Sequence, residues 1–106
     1  MDLLRRFHQP KTRRPLAYSI IDVGRDSVKV VVIQLEPDSE LLQVVGSGWA
    51  ETGGHDITGG RLEADAVLKP VNAALTQAED STEAVVGQKV VPDDAIFILA
   101  GRATLG

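Results

Sequence analysis

Residues 19–35, SIIDVGRDSVKVVVIQL, restrict the possible folds more than any other stretch. Apolar, β-branched residues run to Asp22, the backbone must turn at Gly24, and a second Val- and Ile-rich run follows from Val28 to Leu35. That order is strand, tight turn, strand. The turn carries chemistry as well as shape. A carboxylate at a strand end (Asp22), a glycine two residues on (Gly24) and a lysine five further (Lys29) can face one point. Glycine lets backbone N–H groups come close to a phosphate, and such turns form anion-binding concavities. Lys29 would add a point charge for phosphate oxygens, and Asp22 could hold a hydrated Mg²⁺. Each residue also has a plain structural role open to it. Asp22 can cap the turn, Gly24 can supply a positive φ, and Lys29 can lie on the solvent face of its strand.

Composition removes several alternatives. A chain of 106 residues holds one domain with a modest core. It has no cysteine, which excludes a disulfide scaffold, a zinc–thiolate site and a cysteine nucleophile, and which fits a cytoplasmic protein. No apolar run approaches the roughly 20 residues that span a bilayer, and the N-terminus lacks the apolar core of a secretory signal. Charge is unevenly divided. Residues 1–15 carry Arg5, Arg6, Lys11, Arg13 and Arg14 against Asp2, a net +4, while the remainder carries 6 basic and 14 acidic side chains, a net −8. Residues 1–16 therefore read as a basic, flexible arm. Pro10 and Pro15 stop its Leu3, Leu4 and Phe7 from building a long amphipathic helix.

Beyond the hairpin, residues 36–39 form a turn cluster, and residues 41–48 (LLQVVGSG) read as a third strand with Trp49 packed at its end. Residues 51–60, ETGGHDITGG, read as an exposed loop. No Lys-Ser/Thr pair follows its glycines, so it is not a P-loop. His55 and the distant His8 make a poor metal set, and nothing orients His55 and Asp56 into a catalytic triad. Residues 61–80 are the clearest helix, with Val67, Val71, Ala74, Leu75 and Ala78 on one face and Glu63 and Asp65 near its start. Pro70 inside it predicts a kink or a shifted first turn. Residues 81–92 read as a connection. Residues 95–100 (AIFILA) read as a fourth strand covered on both faces and ended by Gly101.

This ordered set resembles the opening of the FtsA family, the actin-like bacterial cell-division proteins. Asp22, Gly24, Lys29 and Val30 carry the first part of the resemblance, and Val45, Gly46 and Gly48 the second. Gly59, Gly60, Val67, Val71, Ala74, Gln77, Ala78, Glu79, Leu99 and Gly101 carry the rest, over about residues 17–102. The resemblance implies an α/β (α+β) fold: a partial actin-like, ribonuclease H-like lobe of a three-strand antiparallel meander, a long helix and a further strand. It divides the chain into the arm, a lobe segment over 17–92 and, from 93, the start of the extra subdomain of that family. There the fourth strand would pair poorly and leave an apolar edge inviting self-association.

The resemblance also implies a phosphate turn of Asp22, Gly24 and Lys29, with ATP and Mg²⁺ as cofactors of the complete family protein and Asp22 reaching Mg²⁺ through water. It implies a scaffold linking a tubulin-like (FtsZ-type) filament, and copies of itself, to the cytoplasmic face of the membrane. The membrane contact would come from a further C-terminal segment or the basic arm, and no nucleic acid is expected. Two features depart from the pattern. Arg25 and Asp26 stand where a Ser or Thr usually follows the glycine, and Asp26 would repel phosphate if it pointed inward. The seven-residue separation of Asp22 and Lys29 is closer to actin and to PilM-like pilus adaptors, and sugar kinases and chaperone ATPases share the D-x-G turn. The alternatives are therefore a PilM-like type IV pilus assembly adaptor or the N-terminal part of another ATPase of the actin, sugar-kinase and chaperone superfamily. An actin-like ATP site lies between two lobes, so 106 residues of one lobe are expected to bind ATP weakly or not at all and not to hydrolyse it.

Overall fold

A computed structural model describes residues 16–36, 38, 41–52, 64–99 and 102–105 of the chain. Five strands form one sheet: β1 (Leu16–Val23), β2 (Ser27–Leu35), β3 (Leu42–Glu51), β4 (Asp94–Leu99) and β5 (Arg102–Leu105). Among the described residues one long helix, α1 (Ala64–Val86), lies between β3 and β4 in the chain. The strand order is β3-β2-β1-β4-β5. The first three strands are an antiparallel meander, β4 returns parallel to β1, and β5 turns back antiparallel to β4. This is the mixed α/β arrangement of a three-strand antiparallel meander, a long helix and a further strand that the resemblance implies, with β5 added.

The two-residue period of the strands decides where the core lies. Ile21 and Val23 of β1 and Val28, Val30 and Val32 of β2 are buried and share one face. Helix α1 covers that face with Ala74, Ala78 and Thr82, each fully buried and four residues apart. Val67, Val71 and Leu75 extend the contact at its margins. The expected helical face is therefore the one that packs.

The close approach of helix and sheet depends on two glycines. A Cβ on Gly46 would stand 2.3 Å from the Ala78 carbonyl oxygen, and one on Gly48 would stand 2.0 Å from that of Ala74. No side chain fits at either position, so the β3 backbone lies directly under the small residues of α1. The resemblance pairs V-x-G-x-G with a helix carrying spaced alanines, and this contact is its physical content.

Several elements differ from the sequence reading. The helix does not stop at Asp80 but continues to Val86, since Thr82 and Val86 prolong the stripe of small and apolar residues. Gly87 then takes φ +87° and its N–H donates to the Glu83 carbonyl at 2.9 Å, a left-handed helix end. Pro70 lies within the helix, which runs on through it. β3 extends to Glu51, so Trp49 is a residue within the strand, half exposed, and does not pack beyond its end. β4 pairs with β1 along its length and with β5 on its other side, so the expected poor pairing and bare edge are not formed. Its residues from Ala95 to Leu99 are half-buried, not enclosed on both faces. Leu16, the last residue of the expected arm, already belongs to β1, while residues 1–15 with His8, and also His55, Asp56, Gly59, Gly60, the first residues of the expected helix and Gly101, lie outside the described residues. No described helix is long and apolar enough to cross a membrane.

Thr82 fastens the helix to the segment leading into β4. Its hydroxyl donates to the Glu79 carbonyl (2.6 Å) and accepts from the Val90 N–H (2.7 Å), which directs the chain from Gly87 toward that strand. The exposed Lys89–Asp80 ion pair at 3.2 Å spans the same connection and adds little, since both partners are hydrated. Thr82→Val keeps the shape but strands the Val90 amide. It is expected to cost about 1–3 kcal/mol in urea denaturation, with Thr82→Ser costing less.

Candidate functional site

The hairpin brings Asp22 and Lys29 together. They are direct cross-strand partners on β1 and β2, which puts their Cβ atoms roughly 5 Å apart on one face of the sheet. Alternation puts them opposite the helix, because their neighbours Ile21, Val23, Val28 and Val30 face the core. Both side chains are exposed. Trp49 is the partner of Lys29 on β3, and Ile98 the partner of Asp22 on β4, so a row Trp49–Lys29–Asp22–Ile98 crosses four strands.

The position of this row follows from topology. β1 and β4 are parallel and end level, with Val23 beside Leu99. Asp22 therefore stands at the carboxyl end of a parallel pair, where open α/β sheets bind ligands. The β1–β2 turn projects just beyond it.

Gly24 does not supply a positive φ here. Among the described residues only Gly87 is a glycine in that region. What Gly24 provides is closeness: its N–H donates to the Ser27 carbonyl at 2.9 Å, and a Cβ there would stand 3.3 Å from that oxygen. The Gly24 amide is thus engaged within the turn. The Arg25 and Asp26 amides make no hydrogen bond among the described residues, so they are the donors a ligand would meet at the tip.

One residue of this corner was missed in the sequence. Thr52, only 5% exposed, donates its N–H to the Asp26 carbonyl (2.9 Å) and its hydroxyl to the Arg25 carbonyl. The end of β3 therefore braces both tip residues from behind. The sequence signal was slight: a single threonine ahead of a glycine pair, read as the start of a loop.

The donor set is sparse for a metal. Among the described residues no three His, Cys, Asp or Glu side chains gather closely enough to hold an ion. A lone carboxylate suits contact with a hydrated cation, since Mg²⁺ usually keeps several of its waters. Lys29 beside it suits a phosphate oxygen.

Comparison with known proteins adds little beyond this geometry. No family model and no curated protein matches the sequence. Two of the solved structures similar to it are from Aquifex aeolicus. The PPX-GPPA enzyme of Aquifex aeolicus aligns with a TM-score of 0.49 and 15% identity over 81% of this chain. The crystal structure of the Aquifex aeolicus member of the Ppx/GppA family aligns at 0.48 and 17%, again over 81%. The chain spans about a quarter of their length, 27% and 26% respectively. Both carry the Ppx/GppA name, not that of the FtsA family, and neither similarity bears on what this chain binds.

Proposed function

We propose that this chain is the opening segment of an actin-like nucleotide-binding lobe, and that its β1–β2 corner faces the phosphates of Mg-ATP. The observation that carries the reading is the pairing of Asp22 with Lys29 at the carboxyl end of the parallel β1–β4 pair. In this reading Lys29 contacts a phosphate oxygen, Asp22 orients a water of the hydrated Mg²⁺, and the Arg25 and Asp26 amides approach the phosphate. Thr52 keeps the tip in shape. Mg²⁺, when bound, would neutralise phosphate charge and so offset the repulsion from Asp26.

Within the actin-like group the FtsA-like role is the finer proposal: a scaffold for a tubulin-like division filament. Its support is that Gly46, Gly48, Ala74 and Ala78, which carry the resemblance, are the residues that meet in the helix–sheet contact. The rival PilM-like adaptor reading draws on the seven-residue spacing from Asp22 to Lys29. Each role would need the second wall of the ATP cleft, which one lobe segment does not contain. No ATP hydrolysis is proposed for these 106 residues.

The test is an NMR titration of the chain with Mg-ATP into the millimolar range. Amide shifts are expected at Gly24, Arg25, Asp26 and Lys29, weakened at least several-fold by Asp22→Ala and unchanged by Lys69→Ala on the exposed side of α1. Shifts scattered over the molecule, or equal losses in the two variants, would overturn the assignment.

A further inference from the structure

β3 is the edge of the sheet among the described residues, and an edge strand offers a row of unpaired N–H and C=O groups to any extended chain. Here two of those donors are already occupied. The outward N–H of Trp49 donates to Gln77 Oε1 at 3.1 Å, and the outward N–H of Ser47 donates to Ser81 Oγ at 3.0 Å. The Ser81 hydroxyl donates in turn to the Ala78 carbonyl (2.8 Å) and lies 3.3 Å from the Ser47 carbonyl. One side chain thus obstructs both polar groups of Ser47.

The match is a coincidence of two periods. Alternate residues of a strand are about 6.8 Å apart, and residues four apart on a helix are about 6 Å apart along the axis. A helix running antiparallel to β3 therefore presents i and i+4 side chains to i+2 and i of the strand. That works only if the helix lies nearly in contact with the strand backbone. Gly46 and Gly48 permit this, since each lacks the Cβ that would strike α1. Ordinary packing asks only for small residues at Ala74 and Ala78. It does not ask for a glutamine and a serine with acceptors turned onto the strand edge.

We infer that Gln77 and Ser81 guard the β3 edge against strand addition, and that the strand they exclude is the β3 of a second copy, which would bring the same exposed Leu42 and Val44 against those of this edge. The guard stands on the helix and is independent of the phosphate corner, so it is tested separately from the proposed nucleotide site.

The experiment uses the full chain and a fluorescent peptide of residues 42–51 as the incoming strand. Gln77→Ala/Ser81→Ala removes both acceptors while placing good helix formers on α1. Peptide binding by fluorescence anisotropy is expected to tighten at least tenfold over the parent chain. Amide exchange without peptide is expected to accelerate at least tenfold at Ser47 and Trp49 and to stay unchanged at Gly46 and Gly48, whose amides face β2. Gln77→Glu, which keeps an acceptor, is expected to retain the slow Trp49 exchange of the parent. Should the double variant fail to fold, the single alanine variants decide, each releasing only its own amide. Equal peptide binding by parent and variant, or unchanged exchange at Ser47 and Trp49, would overturn the inference.

Discussion

Gly48→Ala is expected to destabilise the chain by about 3 kcal/mol or more, a large share of the 5–15 kcal/mol typical of a whole domain. The sign is what makes the result informative. Glycine inside a strand is ordinarily worse than alanine by roughly 0.5–1 kcal/mol, so in open space the change would stabilise. Here the added methyl would lie 2.0 Å from the Ala74 carbonyl oxygen and 2.8 Å from the Ala78 nitrogen. Both are helix backbone, which cannot swing aside as a side chain can. Relief requires lifting α1 off β3, which opens the packing around Ala74 and Ala78 and pulls Gln77 from Trp49. Gly24→Ala is the milder comparison, because its one tight neighbour, the Ser27 carbonyl oxygen at 3.3 Å, has to yield by only a few tenths of an ångström. Urea denaturation of the two variants should give a far larger drop in midpoint for the first than for the second. Equal midpoints would mean that the helix is not seated directly on the strand.

A contrast between adjacent residues of β2 tests the sidedness of the sheet. Val30 is fully buried under α1, whereas Val31 points to the other face and is only half-buried. Val30→Asp forces a carboxylate into a site lined by Ile21, Ala74 and Ala78 with no partner. The cost is expected to be several kcal/mol, enough to abolish the cooperative transition. Val31→Asp leaves the carboxylate access to water and should cost about 1–2 kcal/mol. Circular dichroism with thermal melting separates the outcomes. Comparable losses would mean that a second layer covers the open face as fully as α1 covers the first.

The hairpin could be read from sequence because two strands joined by a short turn need only local information. Ile21, Val23, Val28, Val30 and Val32 alternate with polar or half-buried neighbours, and that alternation fixes both register and core. The pairing of Asp22 with Lys29 followed from the same register. The face they occupy did not, because it depends on where α1 lands. The helix face was legible to Ala78 and then lost, since Thr82 looks polar. Its hydroxyl is satisfied by Glu79 and Val90, so it is buried as readily as an apolar residue. β5 escaped because RATL is only four residues long, too short for its alternation to stand out, and its pairing is supplied by β4. The brace from Thr52 escaped for a related reason: its partners, Arg25 and Asp26, lie in the β1–β2 turn, distant from it in the chain.

The parallel pairing of β1 with β4 has a consequence during synthesis. Tyr18 leaves the ribosome long before Asp94, its partner across the sheet. At about 5–20 residues per second, the interval is on the order of 4–15 s. During it the β1–β2–β3 meander and then α1 can form from nearby segments, while one side of β1 carries unpaired backbone groups. A nascent chain at this stage has a half-finished sheet whose future centre is its border. Chaperone capture is expected to peak once α1 has emerged and to fall as β4 docks. Ribosome-bound chains stalled at successive lengths would display that interval as a window of protease sensitivity within β1.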